Sequence, residues 1–243
     1  SSADATIDVT RLSSSLTLST SASSPLTSAS GVSATLKSGT SPIAERTITF
    51  VGSGTGLAAG QGFVRSVTTN AAGVGALGTT ANVPVGTYVI TAYFSGTIPL
   101  HPWGPPAASI TLTDPVYDPS VSTAGSLTVV FPFTGFFSPV DNLPTVNVAK
   151  AGSTIPVKFS LGGDRGLGIL SAGYPKAVKL ADCGSSLVDT IEETTTSNGG
   201  LTYDPVSKQY KYNWKTAKTM VGCYRLDLTF IDGTTKSALF QLK

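Results

Sequence analysis

The sequence predicts an all-β protein, two tandem β-sandwiches joined by a proline-containing linker. Three observations predict it. Charged residues make up 12% of the 243 positions and there is a single Met, so the Leu-, Glu-, Lys- and Ala-rich runs that build helices are missing. Ser, Thr, Gly and Val dominate instead, and the β-branched pair suits a pleated surface. Apolar and polar residues also alternate at a period of two, in short segments separated by turn residues.

The first half shows the alternation most clearly. Val32, Ala34 and Leu36 alternate with Ser33 and Thr35. Ile48 and Phe50 alternate with Thr47 and Thr49, and Tyr88, Ile90, Ala92 and Phe94 with Val89, Thr91 and Tyr93. Such a period places one set on a core face. TTNAAGVGAL, residues 68–77, offers Asn70 and Gly73 as turn residues, and PVGTYVITAYFSG, residues 84–96, turns through Pro84 and Gly86 into the longest strand. The arm Ser1–Thr10 sets Ala5, Ile7 and Val9 against Thr6, Asp8 and Thr10, the pattern of a strand in search of an edge.

Charge then divides the chain. Residues 1–115 hold four basic and four acidic side chains, and residues 116–243 hold the other 12 and 10. Between the halves, DPVYDPSVSTAGS (residues 114–126) carries two Asp-Pro pairs and reads as a linker or stiff hinge. The expected division is a sandwich over 1–115, a linker over 116–125 and a second sandwich over 126–243, with SLTVVF (126–131) opening the second. There, Val157, Phe159 and Leu161 face one way and Lys158 and Ser160 the other. Pro156 cannot donate to a ladder, so this segment is expected at an edge or strand start, with Lys158 discouraging edge-to-edge pairing. Phe131, Phe133, Phe136 and Phe137 are read as core, which makes GFFSPVDNLP (135–144) architectural.

Two resemblances follow from quoted motifs. TTNAAGVGAL followed by PVGTYVITAYFSG is similar to the bacterial immunoglobulin-like repeats of exported adhesins and surface enzymes, over residues 5–113. IPLHPWGPPAA, residues 98–108, stands where those repeats carry a short charged turn. FPFTGFF, AGSTIPVKFSLGG, GLGILSAGYPKAV and LTYDPVSKQYKYNWKT, with Cys183 and Cys223, resemble the PxKF domain over residues 126–243. Its name is carried here by Pro156-Val157-Lys158-Phe159. The second resemblance implies a small all-β accessory module of secreted and cell-surface bacterial proteins, with no catalytic function attached to the family. Together they imply two immunoglobulin-like sandwiches.

Chemistry is conspicuous by what the sequence lacks. The only histidine, His101, sits among prolines with no nucleophile elbow nearby. HExxH, C-x-x-C and P-loop patterns are missing, and GGDRGLG (162–168), without a following Lys-Ser/Thr, reads as a flexible turn. Glu192 and Glu193 are adjacent, so on a strand they would point to opposite faces and could not flank a sugar. Asp141 with Asn142, or Asp114 with Asp118, could offer oxygens to calcium, but Asx-turn duty is the simpler expectation. No catalytic, metal or cofactor residues are assigned. Cys183 and Cys223, 40 positions apart and in no metal-type cluster, are expected to form one disulfide in an oxidising compartment. The alternative is two buried thiols in a reducing one.

A net charge of +2 offers no basic stripe for nucleic acid, and the apolar run 127–137 is broken by Pro132, Thr134 and Gly135, so no membrane insertion is expected. The opening SSADAT, without an initiator Met, reads as a mature or trimmed fragment. The functional expectation is a non-catalytic stalk, spacer or docking segment, extracellular or on the cell surface, meeting a protein or a surface polymer. Two other readings stay open: a fibre subunit that self-associates by strand addition, and a carbohydrate-binding module of a secreted hydrolase. Tyr210, Tyr212 and Trp214 alternate with Lys211, Asn213 and Lys215 and are read as core rather than as a sugar platform. Trp103 and Tyr117, in loop and linker, are the candidate exposed interaction residues.

Overall fold

A computed structural model describes residues 10–21, 24–25, 31–78, 83–100, 108–184, 187–191 and 200–243. Among these residues the protein is all-β, apart from one 3-10 turn at Gly56–Ala58. No helix among them is long and apolar enough to cross a membrane. The chain forms two compact units, Ser1–Val130 and Phe131–Lys243.

In the first unit the strands are β1 (Ser15–Ser19), β2 (Ser24–Pro25), β3 (Ser33–Ser38), β4 (Ser41–Pro42), β5 (Thr47–Thr55), β6 (Gly62–Thr68), β7 (Val74–Ala76), β8 (Gly86–Phe94), β9 (Gly96–Pro99), β10 (Ser109–Leu112), β11 (Ser120–Val121) and β12 (Gly125–Val130). The main sheet runs β2-β12-β8-β5-β6, and β11 pairs with another part of β8. A second sheet runs β1-β3-β4 with β7 on β3, and β9 and β10 form a hairpin. The alternation predicts the packing well. Val32, Ala34 and Leu36 from one sheet and Ile48, Phe50, Tyr88, Ile90 and Ala92 from the other share one core. Phe63 leans so closely over Gly52 that a Cβ at that position would overlap its ring. Glycine is what lets β6 close over β5 there.

The expected boundary moves. Residues 126–130, read as the opening of the second half, belong to β12, which pairs antiparallel with β8 from Gly125↔Ile90 to Val129↔Gly86. Leu127 and Val129 are fully buried in the first unit's core. The expected linker 116–125 is also built in. The Leu12 amide donates to the Val116 carbonyl (2.9 Å), the Asp118 amide to the Leu12 carbonyl (2.9 Å), and Ser120 and Val121 pair with Phe94 and Tyr93. Asp-Pro and small polar residues mark turns, but turns inside a domain and turns between domains share that composition.

The second unit contains β13 (Thr134–Phe137), β14 (Val146–Ala149), β15 (Thr154–Ser160), β16 (Lys176–Lys179), β17 (Val188–Thr190), β18 (Leu201–Asp204), β19 (Gln209–Lys215), β20 (Gly222–Thr229) and β21 (Thr235–Leu242). One sheet runs β13-β15-β19-β18 and the other β16-β20-β21-β14-β17. The two meet through Trp214 of β19 and Phe240 of β21, whose rings lie 4.8 Å apart edge to face. Phe159 stacks on Tyr210 at 5.4 Å and meets Phe230 at 5.6 Å and Phe133 at 6.1 Å. Val157, Phe159 and Leu161 are fully buried, as the alternation requires.

Pro156 lies near the start of β15, in a stretch paired on one side only, as expected, although β15 as a whole is not an edge strand. β15 has β19 on one side from Thr154 to Phe159 and β13 on the other from Lys158 to Ser160. The proline is tolerated because β13 has already ended opposite Lys158, so over Thr154–Val157 the ladder has one partner only. A central strand can carry a residue without an N–H where its neighbour has stopped. Lys158 is therefore not the outward guard of an edge.

Cys183 and Cys223 are bonded, with Cα atoms 5.1 Å apart, and no free cysteine remains among the described residues. The bond ties the segment after β16 to β20, beside a Leu180 amide donating to the Cys223 carbonyl at 2.9 Å.

Two outcomes are expected. Residues 1–130 made alone give a cooperative thermal transition and dispersed amide signals, whereas residues 1–115 do not. The shorter piece loses Leu127 and Val129, each burial contributing roughly 1.5–3 kcal/mol, a large part of a typical stability of about 5–15 kcal/mol. Reducing the disulfide lowers the second unit's unfolding free energy by about 4 kcal/mol for a loop of this length and leaves the first unit's transition in place. Denaturant titrations with and without reductant measure both.

Candidate functional site

The outer face of β15, β19 and β18 forms an open polar groove. Period-two alternation sends Phe159, Tyr210 and Tyr203 inward, so Lys158, Lys211 and Thr202 share the opposite face in one row across three strands. Asp204 lies opposite Gln209 in the neighbouring row. Lys158, Thr202, Tyr203, Asp204, Ser207, Gln209 and Lys211 enclose an open groove of about 360 Å³. The tight turn after β18 positions its acid. Asp204 accepts hydrogen bonds from the Ser207 hydroxyl (2.6 Å) and the Val206 amide (3.0 Å). These bonds, the hydroxyl's foremost, with Lys211 nearby, hold the Asp204 carboxyl below its ordinary value, so it stays ionised. Sequence reading missed this row because only the cross-strand register brings Lys158 and Lys211 together.

Other carboxylates hold the fold. Burial alone would raise the pKa of Asp227, but hydrogen bonds from Arg225 (2.7 and 2.9 Å) and the Ser237 hydroxyl (2.7 Å) outweigh it and lower it. Asp114 follows the same logic. Burial is outweighed by the Val116 and Tyr117 amides and by Arg46 at 2.9 Å. Tyr117 is consequently half-buried, packed against the first core with Arg46 5.8 Å from its ring centre, not an exposed contact residue. Asp232 accepts the Phe131 amide at 2.6 Å.

In GFFSPVDNLP, Asn142 clasps Phe136, accepting its amide at 2.7 Å and donating to its carbonyl at 2.9 Å. Asn147 holds Asp141 by the same two-point pattern and also donates to the Leu239 carbonyl at 3.0 Å. This segment does architectural work. The GGDRGLG turn is pinned rather than loose, since the Arg165 amide donates to the Tyr210 hydroxyl and the Gly166 amide to Asp164. Asp141 differs from the other acids: partial burial first, then the neighbouring carboxylate of Asp189 on β17, raises its pKa.

Tyr210 is fully buried and Trp214 is 5% exposed, while Tyr212 is half-buried, so the aromatic row faces the core. Among the described residues no three His, Cys, Asp or Glu side chains are grouped as metal ligands. His101, Trp103, Glu192, Glu193 and the arm up to Val9 lie outside the described residues. Neither a scan against models of known protein families nor a search of curated proteins returns a match to this chain.

The acids make opposite predictions against pH. A carboxyl whose pKa is lowered on folding stabilises above its ordinary value of 3.8 and loses that contribution as pH falls through the folded value. Asp227→Asn should therefore cost roughly 1 kcal/mol at pH 7 and much less near pH 2. For Asp141 the raised pKa means that ionisation above it costs stability. Asp189→Asn should raise the melting temperature at pH 7 and leave it nearly unchanged near pH 3. Thermal melts across the pH range measure both.

Proposed function

We propose that this chain is a non-catalytic segment of an exported bacterial surface protein, acting as a stalk, spacer or docking module. In this reading the first unit is an immunoglobulin-like repeat and the second a PxKF domain. The observation that carries it is structural self-sufficiency. Each of two compact all-β units holds its own strands and its own buried side chains, and the second is cross-linked by Cys183–Cys223. A disulfide suits an oxidising, extracellular setting. The acids Asp114, Asp227 and Asp232 hold backbone or cationic partners rather than facing one another as an acid–base pair.

The fibre reading makes a contrary forecast. Strand donation between copies must overcome the loss of translational and rotational freedom, which a self-contained fold avoids. Light scattering across a hundredfold range of concentration is therefore expected to report a monomer near 24.8 kDa. Filaments that vanish on deletion of residues 1–10 would establish self-assembly in place of the stalk.

A further inference from the structure

We propose that the Asp118–Pro119 peptide bond is a self-cleavage site, opened in mild acid by attack of the Asp118 carboxyl on its own backbone carbonyl. The cut is a single event on the chain itself and needs only the folded first unit, so it does not rest on the stalk reading.

Three bonds join an aspartate to a proline: Asp114–Pro115, Asp118–Pro119 and Asp204–Pro205. A carboxyl beside its own carbonyl is an intramolecular nucleophile already in place, and proline, which has no N–H, leaves as a secondary amine. The fold treats the three differently. Asp114 accepts the Val116 and Tyr117 amides on one oxygen and Arg46 on the other. Asp204 accepts the Val206 amide on one oxygen and the Ser207 hydroxyl on the other. Both carboxyls are tied to these donors and are not free to turn back on their own carbonyls.

At Asp118 the arrangement is reversed. Its carboxyl is exposed and meets no hydrogen-bond or ion-pair partner among the described residues, while its carbonyl accepts the Ser14 hydroxyl at 2.7 Å. Ser14 stands between that carbonyl and the Ser120 hydroxyl, also 2.7 Å away, and has one proton to give. Negative charge developing on the attacked carbonyl oxygen draws that proton, so the contact strengthens as the reaction proceeds. The corner is held in place, because the Asp118 amide donates to the Leu12 carbonyl at 2.9 Å and Ser120 pairs with Phe94. Besides Asp118, residues 10–14 and 114–120 carry two charged side chains: Arg11, exposed, and Asp114, paired with Arg46. β1 and β8, which pack on β11, carry none.

In the step itself a carboxyl oxygen of Asp118 bonds to its own carbonyl carbon, closing a cyclic anhydride. The bond to Pro119 breaks, and the carboxyl proton passes to the proline nitrogen. Solvent water then opens the anhydride, leaving Asp118 as a new carboxyl end and Pro119 as a new amino end. The pieces stay together, since β11 remains on β8 and β12 keeps Leu127 and Val129 buried beside it. A covalent connection becomes one held by strand pairing.

Holding the full chain at pH 4, folded and in parallel unfolded in urea, and weighing the products under denaturing conditions tests the proposal. In the folded chain a fragment beginning at Pro119 should form about tenfold faster, or more, than fragments beginning at Pro115 or Pro205, and than the same fragment in urea. Size exclusion without denaturant should still report one particle near 24.8 kDa. Ser14→Ala should slow the cut about tenfold or more, and Ser14→Thr, which keeps the hydroxyl, should restore it. Asp118→Glu, an exposed change that enlarges the ring to be closed, should stop it. If Ser14→Ala fails to fold, Asp118→Glu and the comparison with urea decide. No fragment at Pro119, equal rates at the three bonds in the folded chain, cutting as fast in urea, or a folded Ser14→Ala chain cut at the full rate overturns the proposal. None of these results bears on whether the protein is a monomer, so this site and the stalk reading fail separately.

Discussion

The second unit depends on the burial of Phe159. Its ring stacks on Tyr210 and touches Phe230 and Phe133, joining β15 and β19 to the start of the unit and to the residue that follows β20. Aromatic pairs contribute about 0.5–1.5 kcal/mol each beyond the area they bury, and a one-residue slip of β15 would turn the whole set to solvent. The register is thereby fixed, and with it every position on the far side of the sheet. Lys158 faces Lys211 because Phe159 faces Tyr210. The groove is a consequence of the core.

A low charge density gives each ionised group more to do. Asp232 caps the backbone of Phe131 where the second unit begins, and Asp114 gathers Arg46, Val116 and Tyr117 into the first. Burial penalises an ionised carboxylate, and these sites offset that cost with two or three donors apiece. Asp141 and Asp189 are the exception, because Asn147 draws both toward one place, the first by side-chain hydrogen bonds and the second by the β14–β17 ladder.

The division between the units shows how local and non-local signals part company. SLTVVF has the alternation of a strand, and it is one. Nothing in the alternation says which sheet accepts it. β8 already pairs with β5 and has a second side to fill, and β12 fills it, burying Leu127 and Val129 beside Tyr88. Asp114 and its Asx turn then hold the preceding segment against β5's approach, which is why DPVYDPS is a fitted corner rather than a hinge.

The sequence by itself determined the all-β class, the inward sets of β3, β5, β8, β15 and β19, and the burial of Phe131 and Phe136, while Phe133 and Phe137 end half-buried. These are legible because side-chain direction in a strand repeats every two residues; the sequence left Cys183 and Cys223 either bonded or free, and the structure bonds them. Only the tertiary structure decided that Pro156 lies in a strand paired on both flanks at its far end, that Tyr117 packs beneath Arg46, and that Lys158 meets Lys211 beside Asp204. Each of these is a matter of which strand ends where and which neighbour it meets, set by contacts between residues tens of positions apart. A period of two specifies a face, while a partner is specified by the packing of the whole sheet.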